Sequence, residues 1–216
     1  MFVIFDYDGV IFNSGPAVRR AVDELFAELG LDAPQDNEWK RWLGPSIAES
    51  LERTLREQGV DNANASALSA WYFDRLTQSS REIAHAFAGT VELVQDLMHA
   101  KVPVGIATMK AQTEMRELEG TLPAIDIVDV VVAPPDHHGG FSKKQMVGEV
   151  IARLGQADND NGWMVGDRSS DIEAGHAHGL RTVAVTWGAG SRAELEAAKA
   201  EHIVDTVDEL RALLLA

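Results

Sequence analysis

Cysteine is absent from this chain of 216 residues, which excludes disulfides, thiolate metal sites and a cysteine nucleophile together. A catalytic nucleophile here must be oxygen or nitrogen. No apolar run is long enough to span a bilayer, and no basic leader precedes the first acidic pair, so a cytoplasmic location is the expectation. Positive charge is scarce: 19 Lys and Arg stand against 34 Asp and Glu, a formal charge of −15. That balance opposes broad contact with nucleic-acid phosphates or anionic membrane. It leaves room for a small phosphorylated metabolite, because a divalent cation and a few local lysines can reverse the sign within one cleft. Internal repeats and low-complexity tracts are also missing.

What is present is an ordinary globular composition, 45% hydrophobic and 25% charged, in a length suited to one α/β domain or a core with a modest insertion. Residues 2–5 form a short apolar run that stops at Asp6 and reads as a buried strand. Similar runs at 102–107, 127–133, 163–165 and 182–185 precede polar or small residues and then helical patterns. This alternation predicts a parallel sheet covered on both faces, with ligands gathered at the carboxyl ends of the strands. Asp6, Asp8, Thr108, Asp167 and Asp171 all follow such runs. Between about 15 and 84 the rhythm changes to helical patterns at 17–29, 47–58 and 65–77. We read this stretch as an all-helical insertion, able to act as a lid over a core made of residues 1–14 and 85–216.

Asp6-Tyr7-Asp8-Gly9-Val10 puts two carboxylates at a strand end, with a glycine for the tight turn that follows. Alone, an acidic turn with glycine is common and usually just solvated. Gly166-Asp167-Arg168-Ser169-Ser170-Asp171 supplies a second acidic pair at a strand-to-helix turn, where a carboxylate can also be a mere cap. Two or three carboxylates from separate loops suit magnesium, which prefers hard oxygen ligands. Thr108 closes an apolar run beside backbone N–H groups, and Lys143 and Lys144 begin the helical run 145–154, either of them able to reach the cleft as a cation. Each residue alone is unremarkable, and their shared order along β-α units is what joins them.

With these motifs in order, the chain resembles a haloacid dehalogenase superfamily hydrolase, in the branch similar to phosphoglycolate phosphatases, over nearly its whole length. The stretch Phe5-Asp6-Tyr7-Asp8-Gly9-Val10-Ile11-Phe12-Asn13-Ser14 is similar to the family's first motif, Thr108 to the second, Lys143 to the third and the Gly166 to Asp171 stretch to the fourth. Gly44-Pro45-Ser46 with Ser50-Leu51, and residues 184–190 with Asp205, resemble the same branch. The resemblance implies a doubly wound, Rossmann-like core with a helical cap. It implies Asp6 as nucleophile, Asp8 as general acid and base, and Thr108, its neighbour Met109 and Lys143 as phosphate-binding residues. Mg2+ would be held among Asp6, Asp8, Asp167 and Asp171, with the main-chain carbonyl at Asp8 contributing and Asp171 acting through water or pairing with the lysine. Val10, Asn13 and Lys144 depart from the residues usual at their positions, and none of these departures removes a reacting group.

The expected function is a magnesium-dependent phosphatase acting on a small phosphorylated metabolite, such as phosphoglycolate, a nucleotide or a sugar phosphate, through an aspartyl-phosphate. The acid two positions past the nucleophile favours phosphate esters over the family's other chemistries. A sugar-phosphate mutase and an inactive binding member are the alternatives, and a signalling receiver domain is disfavoured by its different acidic arrangement. Specificity is expected in the cap, with Arg41 and Trp42, beside Trp39, as candidates for substrate contact or simply for cap structure. His137 and His138 are expected in a surface loop. A monomer or homodimer without polymer or membrane partners completes the expectation.

Overall fold

The computed structural model describes residues 1–35, 53–54, 56–57, 59, 65–136, 140–155 and 161–216. Trp39, Arg41 and Trp42, the Gly44-Pro45-Ser46 and Ser50-Leu51 stretches, most of the expected helix 47–58, and His137 and His138 lie outside the described residues. The chain divides into two units, Met1–Asn13 with His85–Ala216, and Ser14–Ala84.

The first unit is built on a six-stranded sheet of β1 (Phe2–Phe5), β4 (Val104–Ala107), β5 (Val130–Val132), β6 (Gly162–Gly166), β7 (Arg181–Val185) and β8 (His202–Val204). Their order is β5-β4-β1-β6-β7-β8, and every neighbouring pair is parallel. All four residues of β1 are buried, as expected of a central strand covered on both faces. Phe2 and Ile4 join a core with Met146, Val147, Val150 and Ile151 of α5 (Lys143–Arg153) and Ala174 of α6 (Ser169–Ala177). Burying a side chain such as Ile4 contributes roughly 1.5–3 kcal/mol. The remaining helices of this unit are α3 (Thr90–His99), α4 (Gln112–Glu117), α7 (Arg192–Ala197) and α8 (Val207–Leu214). A second, two-stranded sheet pairs β2 (Phe12–Asn13) with β3 (His85–Ala86) antiparallel, Asn13 opposite His85.

One sequence expectation is corrected in detail. The run 127–133 gives a strand of only three residues because Asp129 clamps its start: its N–H donates to Val104 O at 3.0 Å and its Oδ2 accepts from Val104 N at 2.8 Å. The helical run begins at Lys143 as expected, and its start is fixed by a reciprocal capping box between Ser142 and Gln145. Ser142 Oγ accepts from Gln145 N, and Gln145 Oε1 accepts from Ser142 N.

The second unit contains α1 (Gly15–Glu28) and α2 (Ala65–Ile83). Pro16 lies in the first turn of α1, where its missing N–H costs nothing. Ala17, Val18, Ala21, Val22, Leu25 and Phe26 recur at helical spacing and pack with Tyr72 and Leu76 of α2.

Candidate active site

Asp6 is the first residue past β1, and its N–H continues the ladder by donating to Val165 O at 2.8 Å. Its side chain is turned back on the chain: Oδ1 accepts from Tyr7 N at 2.7 Å and from Lys143 Nζ at 2.5 Å. Tyr7 anchors this turn from beneath, fully buried and donating its hydroxyl to Pro123 O at 3.0 Å.

Lys143 is the first residue of α5, a position where a cation opposes the helix dipole. Three oxygens compensate: Asp6 Oδ1, Asp171 Oδ1 at 3.1 Å and Ala107 O at 2.9 Å. Burial alone would lower the lysine's pKa, but Asp171 and Asp6 together raise it above its ordinary value, so the ammonium is retained. Lys144, the alternative by sequence, is exposed.

Asp167 and Asp171 arrive from the turn between β6 and α6. Asp171 is fully buried, and its Oδ2 reaches back to accept from the N–H groups of Asp167 and Arg168 at 3.2 and 3.0 Å. Asp167 Oδ2 accepts from Ala189 N at 2.7 Å, while its Oδ1 is buried without a hydrogen-bond partner among the described residues. Gly9 makes this approach possible. At φ +84° it occupies the left-handed region, and a Cβ on it would stand 2.3 Å from Asp167 Oδ2.

Asp6, Asp167 and Asp171 each offer a carboxylate oxygen within 4.8 Å of the others. Burial pushes Asp6 well above the usual carboxylate range; Lys143 opposes this, and the charges of Asp171 and Asp167 add to it. Burial, then Asp171, push Asp167 up to about 7. Three crowded acids, one lysine and an orphaned buried oxygen form a donor set suited to a hard divalent cation, whose charge would restore the ionised forms. The Asp8 carboxylate, expected among the metal ligands, is not in this group. Its Oδ1 faces Lys110 Nζ at 3.4 Å.

Thr108 is the first residue past β4 and is 1% exposed. Its N–H donates to Val132 O at 3.0 Å, and its Oγ1 accepts from Lys110 N at 3.0 Å, leaving the hydroxyl proton to donate elsewhere. Met109 packs its partly buried side chain against the sheet core. The structure thus brings together Asp6, Lys143, Asp167 and Asp171, with Ala107 O linking the group to the strand end that carries Thr108.

Sequence reasoning passed over Lys110 and Glu114. Lys110 Nζ donates to Glu114 Oε1 at 2.6 Å, and both side chains are only 4% exposed. Burial raises the Glu114 pKa although Lys110 opposes it; for Lys110, burial is outweighed by Asp8 and Glu114, which raise its pKa. The four-residue spacing was the available signal, but on a helix surface it is usually a solvated pair.

Among the described residues, no helix is long and apolar enough to cross a membrane. A sequence model described as haloacid dehalogenase-like hydrolase matches residues 3–185. The chain is 30% identical to the tyrosine-protein kinase PtkA of Mycobacterium tuberculosis, over 98% of this chain and 72% of that protein. It is 28% identical to the pyrophosphatase PpaX of Bacillus cereus, over 98% of this chain and 95% of that one. In structure it is similar to a protein described as a predicted phosphatase from Clostridium acetobutylicum, with a TM-score of 0.82 at 24% identity, covering 99% and 97% of the two chains. That likeness concerns the fold. Because the family match spans most of the chain, this protein belongs to the haloacid dehalogenase-like hydrolases.

Proposed function

We propose that the protein is a phosphatase that hydrolyses a small phosphorylated metabolite through a phosphoryl group carried on Asp6, with magnesium as cofactor. The observation that carries this reading is the Asp6 carboxylate, fixed by Tyr7 N–H and Lys143 and crowded by Asp167 and Asp171. A bound magnesium ion, held by Asp6 and Asp167 with Asp171 behind them, would supply positive charge for the transferring phosphoryl oxygens.

The protein's own residues perform the remaining tasks. An Asp6 oxygen bonds to phosphorus as the bond to the leaving oxygen breaks, and Asp8 gives its proton to that oxygen. In the second step Asp8 takes a proton from water, the water oxygen bonds to phosphorus, and the bond to Asp6 breaks to release phosphate. Lys143 and the Thr108 hydroxyl bind phosphoryl oxygens and offset their charge. Unit 14–84, with Arg41 and Trp42, is assigned to substrate recognition as a cap. Phosphoglycolate-like, nucleotide and sugar phosphates are the substrate classes to try first, with pyrophosphate beside them in view of the relative named pyrophosphatase. The same reading takes the protein to be cytoplasmic and monomeric or homodimeric, in keeping with a cysteine-free, acidic chain.

The test is a phosphorylated-metabolite panel with magnesium and with chelator, followed by rapid-quench trapping of label and peptide mapping. Turnover that survives exhaustive chelation, or label on a residue other than Asp6, would overturn the reading. The relative named tyrosine-protein kinase favours a second reading, in which a tyrosine hydroxyl replaces water as acceptor. Adding labelled ATP and a tyrosine peptide to the same panel separates the two by where the phosphoryl group ends.

A further inference from the structure

Lys110 and Glu114 take no part in the chemistry just described, yet both are buried. Removing two ions from water costs several kcal/mol for each, so an interior ion pair needs a reason beyond stability. Its neighbours suggest one. The Lys110 ammonium lies 2.6 Å from Glu114 Oε1, 3.4 Å from Asp8 Oδ1 and 5.7 Å from the centroid of the Phe12 ring. Asp8 Oδ1 is buried without a close hydrogen-bond partner among the described residues, and the Lys110 ammonium at 3.4 Å is the cation these residues set against it. The backbone aims the lysine from a fixed base, since Lys110 N–H is tied to Thr108 Oγ1 at 3.0 Å, directly after β4.

Two lysines therefore divide the acids of the site. Lys143 holds Asp6 and Asp171, while Lys110 holds Asp8 and Glu114. Asp6 and Asp8 are two residues apart, and each is drawn to a different cation. We infer that Lys110, braced by Glu114, is a positioning residue that keeps the Asp8 carboxylate apart from the Asp6, Asp167 and Asp171 group and aimed at the leaving oxygen. The inference rests on the reading of Asp8 as the general acid.

The experiment is steady-state kinetics on the full-length, magnesium-supplemented protein with two probes, phenyl phosphate and p-nitrophenyl phosphate. The phenyl ester has the more basic leaving oxygen and needs the proton more. Lys110→Met should lower kcat on phenyl phosphate by roughly tenfold or more, a part of the ~100-fold or greater factor of general acid catalysis, and on p-nitrophenyl phosphate by clearly less. If Lys110 works through Asp8, the Asp8→Asn/Lys110→Met pair should be no slower than Asp8→Asn alone. Additive losses, or equal losses on both probes, would overturn the inference and make Lys110 a substrate contact or a support of the fold. The companion Lys110→Met/Glu114→Gln removes both buried charges, which protects folding, and must show the same selective loss on phenyl phosphate; wild-type rates in it also overturn the inference. If Asp8→Asn itself affects both probes equally, the reading of Asp8 fails first, and the inference goes with it.

Discussion

Lys143 Nζ and Asp6 Oδ1 meet at 2.5 Å although 137 residues separate them in sequence. The contact forms because the capping box starts α5 at the lysine and β1 delivers the aspartate to the same end of the sheet. Lys143→Met should lower turnover by roughly 100-fold or more, the scale of losing one preorganised charge at a reacting phosphoryl group. It should also destabilise the fold by about 3–5 kcal/mol, since Asp6 and Asp171 lose their buried partner. Kinetics and denaturant unfolding measure the two effects. Unchanged turnover would remove Lys143 from the site.

Asp8→Asn preserves shape but cannot move a proton. Its cost should be severe for an alkyl phosphate and milder in the first step for an aryl phosphate, where the second step is then exposed and label accumulates on Asp6. Rapid-quench measurement of bound phosphate checks this. Asp6→Asn should carry no label with either ester.

Gly9→Ala places a methyl group 2.3 Å from Asp167 Oδ2 in a backbone region that costs an L-residue roughly 1–2 kcal/mol. Asp167 must retreat. The magnesium concentration for half-maximal activity should rise about tenfold or more, for about 1.4 kcal/mol of lost binding. A magnesium titration of activity reads it. An unaltered titration would show that Asp167 does not hold the ion.

Stability should depend on pH and metal together. The raised Asp167 carboxyl, at about 7, binds a proton more tightly in the folded chain than in the unfolded one. Its contribution in the metal-free protein is therefore full below about pH 4 and is lost as pH rises through about 7. A magnesium ion held at this site would bind the ionised form, so its stabilising effect should grow over the same interval. Groups outside the site cancel in the difference between metal-loaded and chelated samples; Glu201 is one, its carboxyl lowered by hydrogen bonds from Arg181. Melting curves at several pH values, with magnesium and with chelator, give that difference. A gap independent of pH would place the metal elsewhere.

The pairing of Asn13 with His85 means that the chain leaves and re-enters the α/β unit at one ribbon. Deleting 15–84 and joining the ends with a short linker should leave a core that folds cooperatively but has lost its ranking of substrates. Repeating the metabolite panel on the shortened protein tests it. A retained ranking would reassign the insertion as decoration.

Much of this was legible because the parallel strands are short apolar runs ended by an acid or a hydroxyl, as at Phe5-Asp6 and Ala107-Thr108. What escaped was of another kind. β8 has three residues beginning with a histidine, and β2 and β3 have two each, too few for any period to register. Lys110 and Glu114 read as surface charges because burial belongs to the folded arrangement and not to residue type. Lys143 was legible through the resemblance, but its burial beside Asp6 comes only with the start of α5, which rests on the side chains of Ser142 and Gln145.

The central place of β1 bears on how the protein fails when heated. Asp6 follows a strand bonded on one side to β4 and on the other to β6, and its own amide is tied to Val165 O. Such a segment cannot fray singly, and its amide hydrogens should exchange with solvent only when the whole unit opens. The carboxylate proposed as nucleophile thus rides on a part of the molecule expected to let go last. Inactivation through this residue should then coincide with loss of the sheet, not precede it.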